Sequence, residues 1–211
     1  MSLRRCSGLT YEVHVSNNDL DGRPPLRTLA ITQNITIDGS IEMLGDWFDP
    51  QGQAGADSSD LLEELHRQDR KADGLLVGRR TFEDLRGYWP NQRDDATGIA
   101  DYLNQVQKYV VSSTITEPEW QNSTILSGDA VEQARALKGK PGRDIVVTGS
   151  ITLCHTLIEA ALVDEYRLFV YPLVQGRGRR LFPDGFELPR LELLESKAFE
   201  SGITYSRYAP A

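Results

Sequence analysis

The chain has 211 residues, 39% hydrophobic and 26% charged, with a formal net charge of −8. That balance predicts a soluble domain able to bury a sizeable core without disulfide or metal staples. Its acidity excludes general nucleic-acid binding, which needs a basic surface. No apolar run reaches the length of a membrane span, and Met1–Thr10 carries no signal-like apolar core. Cys6 and Cys154 form neither a disulfide framework nor a ligand spacing, so a reducing, cytoplasmic setting is expected.

The elements follow in chain order. Leu9, Tyr11, Val13 and Val15 alternate with polar residues, the period of a half-buried strand, and a turn-rich linker runs from Asn17 to Pro25. Residues 1–26 therefore read as an arm that adds a strand to a sheet edge, its own or a neighbouring subunit's, or as a poorly ordered tail. Residues 27–211 read as one main domain. Thr28–Ile37 is β-rich and ends in an Asp38-Gly39 turn, and Ile41–Ala56 is a loop carrying Trp47 and Phe48. Ser58 or Ser59 caps a helix to about Lys71, with Leu61, Leu62 and Leu65 as its buried stripe. A strand at Leu75–Val77 leads into a helix from Thr81 that stops at Gly87-Tyr88-Trp89-Pro90.

Gly98–Gln107 has helical composition, Tyr109–Ser112 and Thr124–Leu126 are short strands, and Asp129–Lys138 is a helix capped near Gly128. Ile145–Val147 is a strand feeding another helix, Val163–Val174 a long strand, and Leu191–Phe199 and Ile203–Tyr208 a pair joined at Ser201-Gly202. Alternating strands and helices define an α/β domain with a mixed, mostly parallel sheet flanked by helices. The last two strands close it as a C-terminal antiparallel pair.

Chemistry concentrates at two strand–glycine–helix turns. In Leu75–Glu83 a strand turns at Gly78 into a helix that opens with Arg79, Arg80 and Thr81. In Asp144–Glu159 the strand turns at Thr148-Gly149-Ser150. A helix N-terminus offers backbone N–H groups to phosphate, and the arginines add fixed positive charge. Two such turns point to a cofactor with several phosphates. Ser112 and Ser113, ending another strand, offer hydroxyls where open α/β sheets bind ligands. Combined with Arg79, they favour a 2′-phosphate, hence NADPH over NADH.

Other signals are bland. Gly176–Arg180 lacks the third glycine of a nucleotide fingerprint, and Pro183 interrupts any following helix, so it reads as a loop. His14, His66 and His155 are isolated, and no metal spacing occurs. Asp38, Asp60 and Glu64 are the candidate catalytic acids; Asp60 and Glu64 share a helix face at i, i+4. Trp47, Tyr88 and Trp89 sit beside turns where they could stack on a flat heterocycle, or fill the core.

The ordered set TQNITIDGSI (32–41), DWF (46–48), LLVGRRTFE (75–83), GYWP (87–90), KYVVSST (108–114), DIVVTGSITL (144–153) and LVDEYRLFVYPLVQGRGRRLFP (162–183) resembles the dihydrofolate reductase-like superfamily. It is most similar to the C-terminal reductase domain of the riboflavin-biosynthesis deaminase-reductase. The resemblance spans about Arg27 to Tyr208 and implies NADPH as hydride donor, a pterin or ribosylaminopyrimidine substrate, and a homodimer. It places Gly78, Arg79, Arg80 and Thr81 at the cofactor turn and Ser112 and Ser113 at the adenosine-phosphate loop. Val147, Thr148, Gly149, Ser150, Ile151 and Thr152 fall at the second phosphate turn. Ala30, Ile31, Asp38 and Gly39 fall near the nicotinamide, with Asn34, Trp47 and the Asp60–Glu64 helix toward substrate. This chain has Thr148-Gly149-Ser150 where the family usually carries adjacent glycines, and no carboxylate in register with the folate-binding acid. Those departures motivate a second reading, a nucleotide-binding or scaffold protein of the same fold without efficient catalysis.

Overall fold

The structure, a computed structural model, describes residues 26–48 and 58–211. The arm expected over residues 1–26 lies, but for Leu26, outside the described residues, as does the end of the Trp47 loop. The elements are β1 (Leu29–Thr36), α1 (Ser59–Asp69), β2 (Ala72–Gly78), α2 (Arg79–Tyr88), α3 (Ile99–Gln105), β3 (Gln107–Val111), β4 (Ser123–Leu126), α4 (Ala130–Lys138), β5 (Asp144–Val147), α5 (Ile151–Glu159), β6 (Glu165–Tyr171), β7 (Leu191–Ala198) and β8 (Thr204–Pro210). They form one sheet of order β4-β3-β2-β5-β1-β6-β8-β7. The first six in that order are mutually parallel, and β8 runs antiparallel to both β6 and β7. This is the mixed sheet and antiparallel closure read from the sequence.

Strand alternation divides the core between the two faces. Leu29, Ile31 and Ile35 of β1 pack with Leu76, Ile145 and Val147 beneath α4 and α5. On the other face Leu75, Val77 and Val110 pack against Phe82, Leu103 and Trp120. Farther along that face, Phe169, Phe199, Ile203 and Tyr205 form a separate cluster bordered by Leu61 and Leu65. Lys108 is wholly buried there, and its Nζ donates to the Leu103 and Val106 carbonyls at 2.7 and 2.9 Å, closing the end of α3. Burial lowers its pKa to about 8.

Helix α1 corrects one expectation. Its buried residues are Glu64 and Gln68, while Leu61, Leu62 and Leu65 are only half-buried. The helix leans on the sheet with its polar stripe because β7 meets it with charged partners. Glu64 accepts from Arg67 at 2.7 Å and from Lys197 at 2.5 Å, and Arg67 reaches Glu195 at 2.9 Å. The network continues at the sheet's amino-terminal edge. Arg167, 4% exposed, contacts Asp144 at 2.6 Å and Glu165 at 2.7 Å, and Glu165 also meets Arg207 at 2.8 Å.

Three boundaries also move. The long strand expected over Val163–Val174 is β6 alone, ending where Pro172 has no N–H for the ladder. Helix α4 is capped by Asp129 rather than Gly128, its carboxylate accepting from Val131 N at 3.0 Å and Glu132 N at 3.1 Å. Helix α3 ends at Gln105, because Val106 is already extended.

Candidate active site

Strands β3, β2 and β5 are consecutive in the sheet, so their carboxyl ends bring the three predicted turns side by side. The two glycine turns are joined directly. Ser150 Oγ accepts from Gly78 N at 2.9 Å, and Ser150 N donates to Thr81 Oγ1 at 2.9 Å. Gln33, 1% exposed on β1, grips both backbone groups of Gly149. Its Nε2 donates to the Gly149 carbonyl at 2.8 Å, and its Oε1 accepts from Gly149 N at 3.1 Å. Gly149 has φ +57, and a Cβ there would meet Thr81 Cγ2 at 2.9 Å, so both the left-handed backbone and the close approach demand glycine.

Ser150 takes a left-handed φ of 45, unusual for a side-chain-bearing residue, and caps α5. With the Gly149 and Ser150 amides committed internally, the first-turn N–H groups of α2 and α5 are the donors left without intrahelical partners. Arg79 and Arg80 are exposed beside them, Arg79 in an i, i+4 pair with Glu83 at 2.9 Å. Ser112 Oγ is turned into its own loop, accepting from Thr114 N at 3.2 Å and Ile115 N at 3.0 Å, while Ser113 is exposed. That donor set fits a polyphosphate.

A cleft of about 950 Å³ opens from these turns across the sheet face between α1 and the α2–α3 pair, near the upper end of the usual size for a small-molecule site. Its floor is Thr32 and Asn34 of β1, Leu75, Val146, Thr148 and Phe169. One wall is Leu61, Leu62 and Leu65; the other is Thr81, Leu85, Tyr88 and Trp89. Trp47 closes one end. Its Nε1 donates to Gln175 Oε1 at 2.7 Å, and its ring meets Tyr171 edge-on at 5.1 Å. Asn34, Trp47, Tyr88 and Trp89, singled out as substrate contacts, all line this cleft. Ala30 and Ile31 do not: both are wholly buried low on β1, and Thr32 and Asn34 take the place expected of them. Val147 and Ile151 are core residues, and Thr152 is exposed on α5.

The three candidate acids lie outside the cleft lining, each with a structural engagement. Asp38 accepts from Thr36 Oγ1 at 2.6 Å and from the amides of Gly176 and Gln175 at 2.8 and 3.1 Å. These bonds hold its pKa at about 2 and fasten the Gly39 turn, φ +86, to the Gly176 loop. Asp60 accepts from Leu61 N and Glu200 N, tying α1 to the β7–β8 turn. Burial pushes the Glu64 carboxyl up, but hydrogen bonds from Arg67, Lys197 and Gln68 outweigh it and leave the pKa at about 2. A carboxylate so firmly ionised carries no proton to deliver at neutral pH.

The acids that do line the cleft are Asp69 and Asp84, which sequence reasoning missed. Burial raises the Asp69 pKa to about 6, against a smaller opposing effect of His66 and Arg70. A helical signal was present. Leu61, Leu65 and Asp69 recur every four residues, and Thr81, Asp84, Leu85 and Tyr88 follow the same periodicity on α2. Each acid continues a stripe that faces the cleft. The other motifs behave as ordinary structure: Arg179 pairs with Glu42 at 2.7 Å, and His66 and His155 bond to the carbonyls of Thr97 and Arg180.

The fold is that of the dihydrofolate reductase-like reductases of riboflavin biosynthesis. A putative riboflavin biosynthesis protein from Shewanella sp. PV-4 superposes with a TM-score of 0.63 at 18% identity, over 87% of this chain and 99% of its own. A pyrimidine reductase-like protein from Corynebacterium diphtheriae gives 0.60 at 18% identity, over 88% and 92%. In the Thermotoga maritima diaminohydroxyphosphoribosylaminopyrimidine deaminase/5-amino-6-(5-phosphoribosylamino)uracil reductase the match covers 88% of this chain but 57% of that one, with a TM-score of 0.59 at 16% identity. Residues 27–205 match the RibD C-terminal domain, and the chain belongs to that family. Among curated relatives, the uncharacterized protein YyaP of Bacillus subtilis (strain 168) is 30% identical over 187 residues, 86% of this chain and 94% of its own.

Proposed function

We propose that the protein is a reductase that uses a nicotinamide dinucleotide, NADPH in preference to NADH, to reduce a small heterocycle of pterin or aminopyrimidine type. The observation that carries this reading is the hydrogen-bonded pair of turns at Gly78 and Gly149, opening directly onto an aromatic-lined cleft. Bound NADPH would supply the hydride; the protein supplies position and electrostatics. First-turn amides of α2 and α5 hold phosphate, and Arg79 and Arg80 offer charge to the 2′-phosphate. Trp47, Tyr88 and Trp89 exclude water and present flat faces to the heterocycle. The carboxyl of Asp69, protonated up to a pH of about 6, is the acid placed to give a proton to a ring nitrogen. The protein is further proposed to be a cytoplasmic homodimer whose arm, residues 1–26, supplies the added edge strand; a monomeric mass in solution would contradict the dimer.

Quenching of Trp47 and Trp89 fluorescence should report NADPH binding, tighter than NADH, with the preference lost in Arg79→Gln. Failure to bind either nucleotide would sink the reading. The left-handed Ser150 and the committed amides at 149–150 favour a second reading, nucleotide binding without efficient turnover. Single-turnover NADPH oxidation against a panel of pterins and ribosylaminopyrimidines separates the two.

A further inference from the structure

The polar residues that meet the cleft are unbalanced in sign. Among the described residues lining it there is no lysine, arginine or histidine, while Asp69 and Asp84 both contribute carboxyl groups. Residues 49–57, which follow Trp47 and Phe48 in the sequence, add Asp49 and Asp57 and no basic residue. The nearby cations on α1 and α2 are engaged elsewhere. Arg67 is held by Glu64 and Glu195, Lys197 by Glu64, and Arg86 by the Pro118 carbonyl and Glu119. Only the turn at Arg79 and Arg80 presents basic side chains toward this end of the sheet, and the cofactor reading claims both.

An anion taken from water into an apolar wall needs a paired charge or several directed donors. The wall opposite the cofactor turn offers leucine, phenylalanine and tyrosine side chains instead. From this we infer that the cleft selects a flat heteroaromatic substrate that carries no phosphate, with Asp69 and Asp84 accepting from its ring N–H groups. The inference rests on the reductase reading for the assignment of Arg79 and Arg80 to cofactor. Within that reading it excludes a phosphoribosyl compound as the favoured substrate.

The test compares 5-amino-6-(5-phosphoribosylamino)uracil with the same compound lacking its phosphate, using the full chain. Turnover with saturating NADPH and calorimetric binding without cofactor are both measured. The compound without phosphate should be preferred by about tenfold or more in both measurements, the scale of about 1.4 kcal/mol. Leu62→Arg, which places a cation in the apolar wall, should shrink that preference by bringing the phosphorylated compound up. Equal or better use of the phosphorylated compound overturns the inference, as does binding of neither compound. If neither nucleotide binds, the reductase reading falls, while the cofactor-free binding comparison still decides the preference.

Discussion

Helix α1 separates two regions of opposite chemistry. On one side Glu64, Arg67 and Gln68 enter a network with Glu195 and Lys197, which Arg207, Glu165, Arg167 and Asp144 extend along the sheet. On the other side Leu61, Leu62 and Leu65 face the cleft. The usual arrangement of a surface helix, apolar inward and polar outward, is turned about its axis. The charged side is closed because its carboxylates and cations have one another as partners. The apolar side stays open, and such a surface is favourable to cover with a ligand. In this region polar contacts fix the helix and apolar ones are left for binding.

The largest break of this contrast is at the network. Arg167→Met leaves Asp144 without its cation and Glu165 with Arg207 alone, and should destabilise the protein by about 3–5 kcal/mol in urea unfolding, because a buried charge loses its partner. Truncating a leucine of the cleft wall should not approach that loss in the same assay.

Acid should reach the same network. Glu64 titrates near 2 in the folded protein against 4.5 ordinarily, so its contribution is complete above pH 4.5 and fades as pH falls toward 2. The melting temperature should therefore drop across that window in the parent and drop less in Glu64→Gln, which has already lost the contribution. A parallel pH dependence in the two proteins would place the acid sensitivity elsewhere.

At the joined turns, Gly149→Ala meets both a positive φ and Thr81, for a cost of about 1–3 kcal/mol. Its nucleotide affinity should fall further than its stability predicts.

The smallest effect lies in the cleft itself. Asp69 has a raised pKa, so its burial weakens the fold as pH rises from 3.8 through about 6. Asp69→Asn should thus stabilise by about 1 kcal/mol at pH 7 and change nothing below pH 3.8. The same substitution should remove a fall in turnover above pH 6 if the carboxyl delivers the proton.

The sequence carried the sheet and its turns more clearly than the face of α1. Apolar runs such as Leu75–Val77, each ending at glycine, are local signals, and the adjacency of β3, β2 and β5 followed from the recognisable order of motifs. The stripe Leu61, Leu62, Leu65 read as core because periodicity tells which residues share a face, never what that face meets. The facing Lys197 and Glu195 are more than a hundred residues away in the chain. The same distance hid the roles of Asp38 and Asp60, whose partners are the Gly176 loop and the turn at Glu200. Asp69 was missed for a different reason, since a lone aspartate closing a helix has nothing in its spacing to distinguish it.

Gln33 gives the turn at Gly149 a property beyond its shape. A carboxamide has one donating end and one accepting end, so it can bind the backbone at 149 in a single sense, and Gly149 cannot rotate away without breaking both bonds together. The loop is thereby held still before anything arrives, and little freedom remains to be lost when a phosphate docks. Gln33 also lies between Thr32 and Asn34, whose side chains point to the opposite face of β1, into the cleft. One buried amide thus ties the stillness of the nucleotide end to the strand that forms the floor under the substrate.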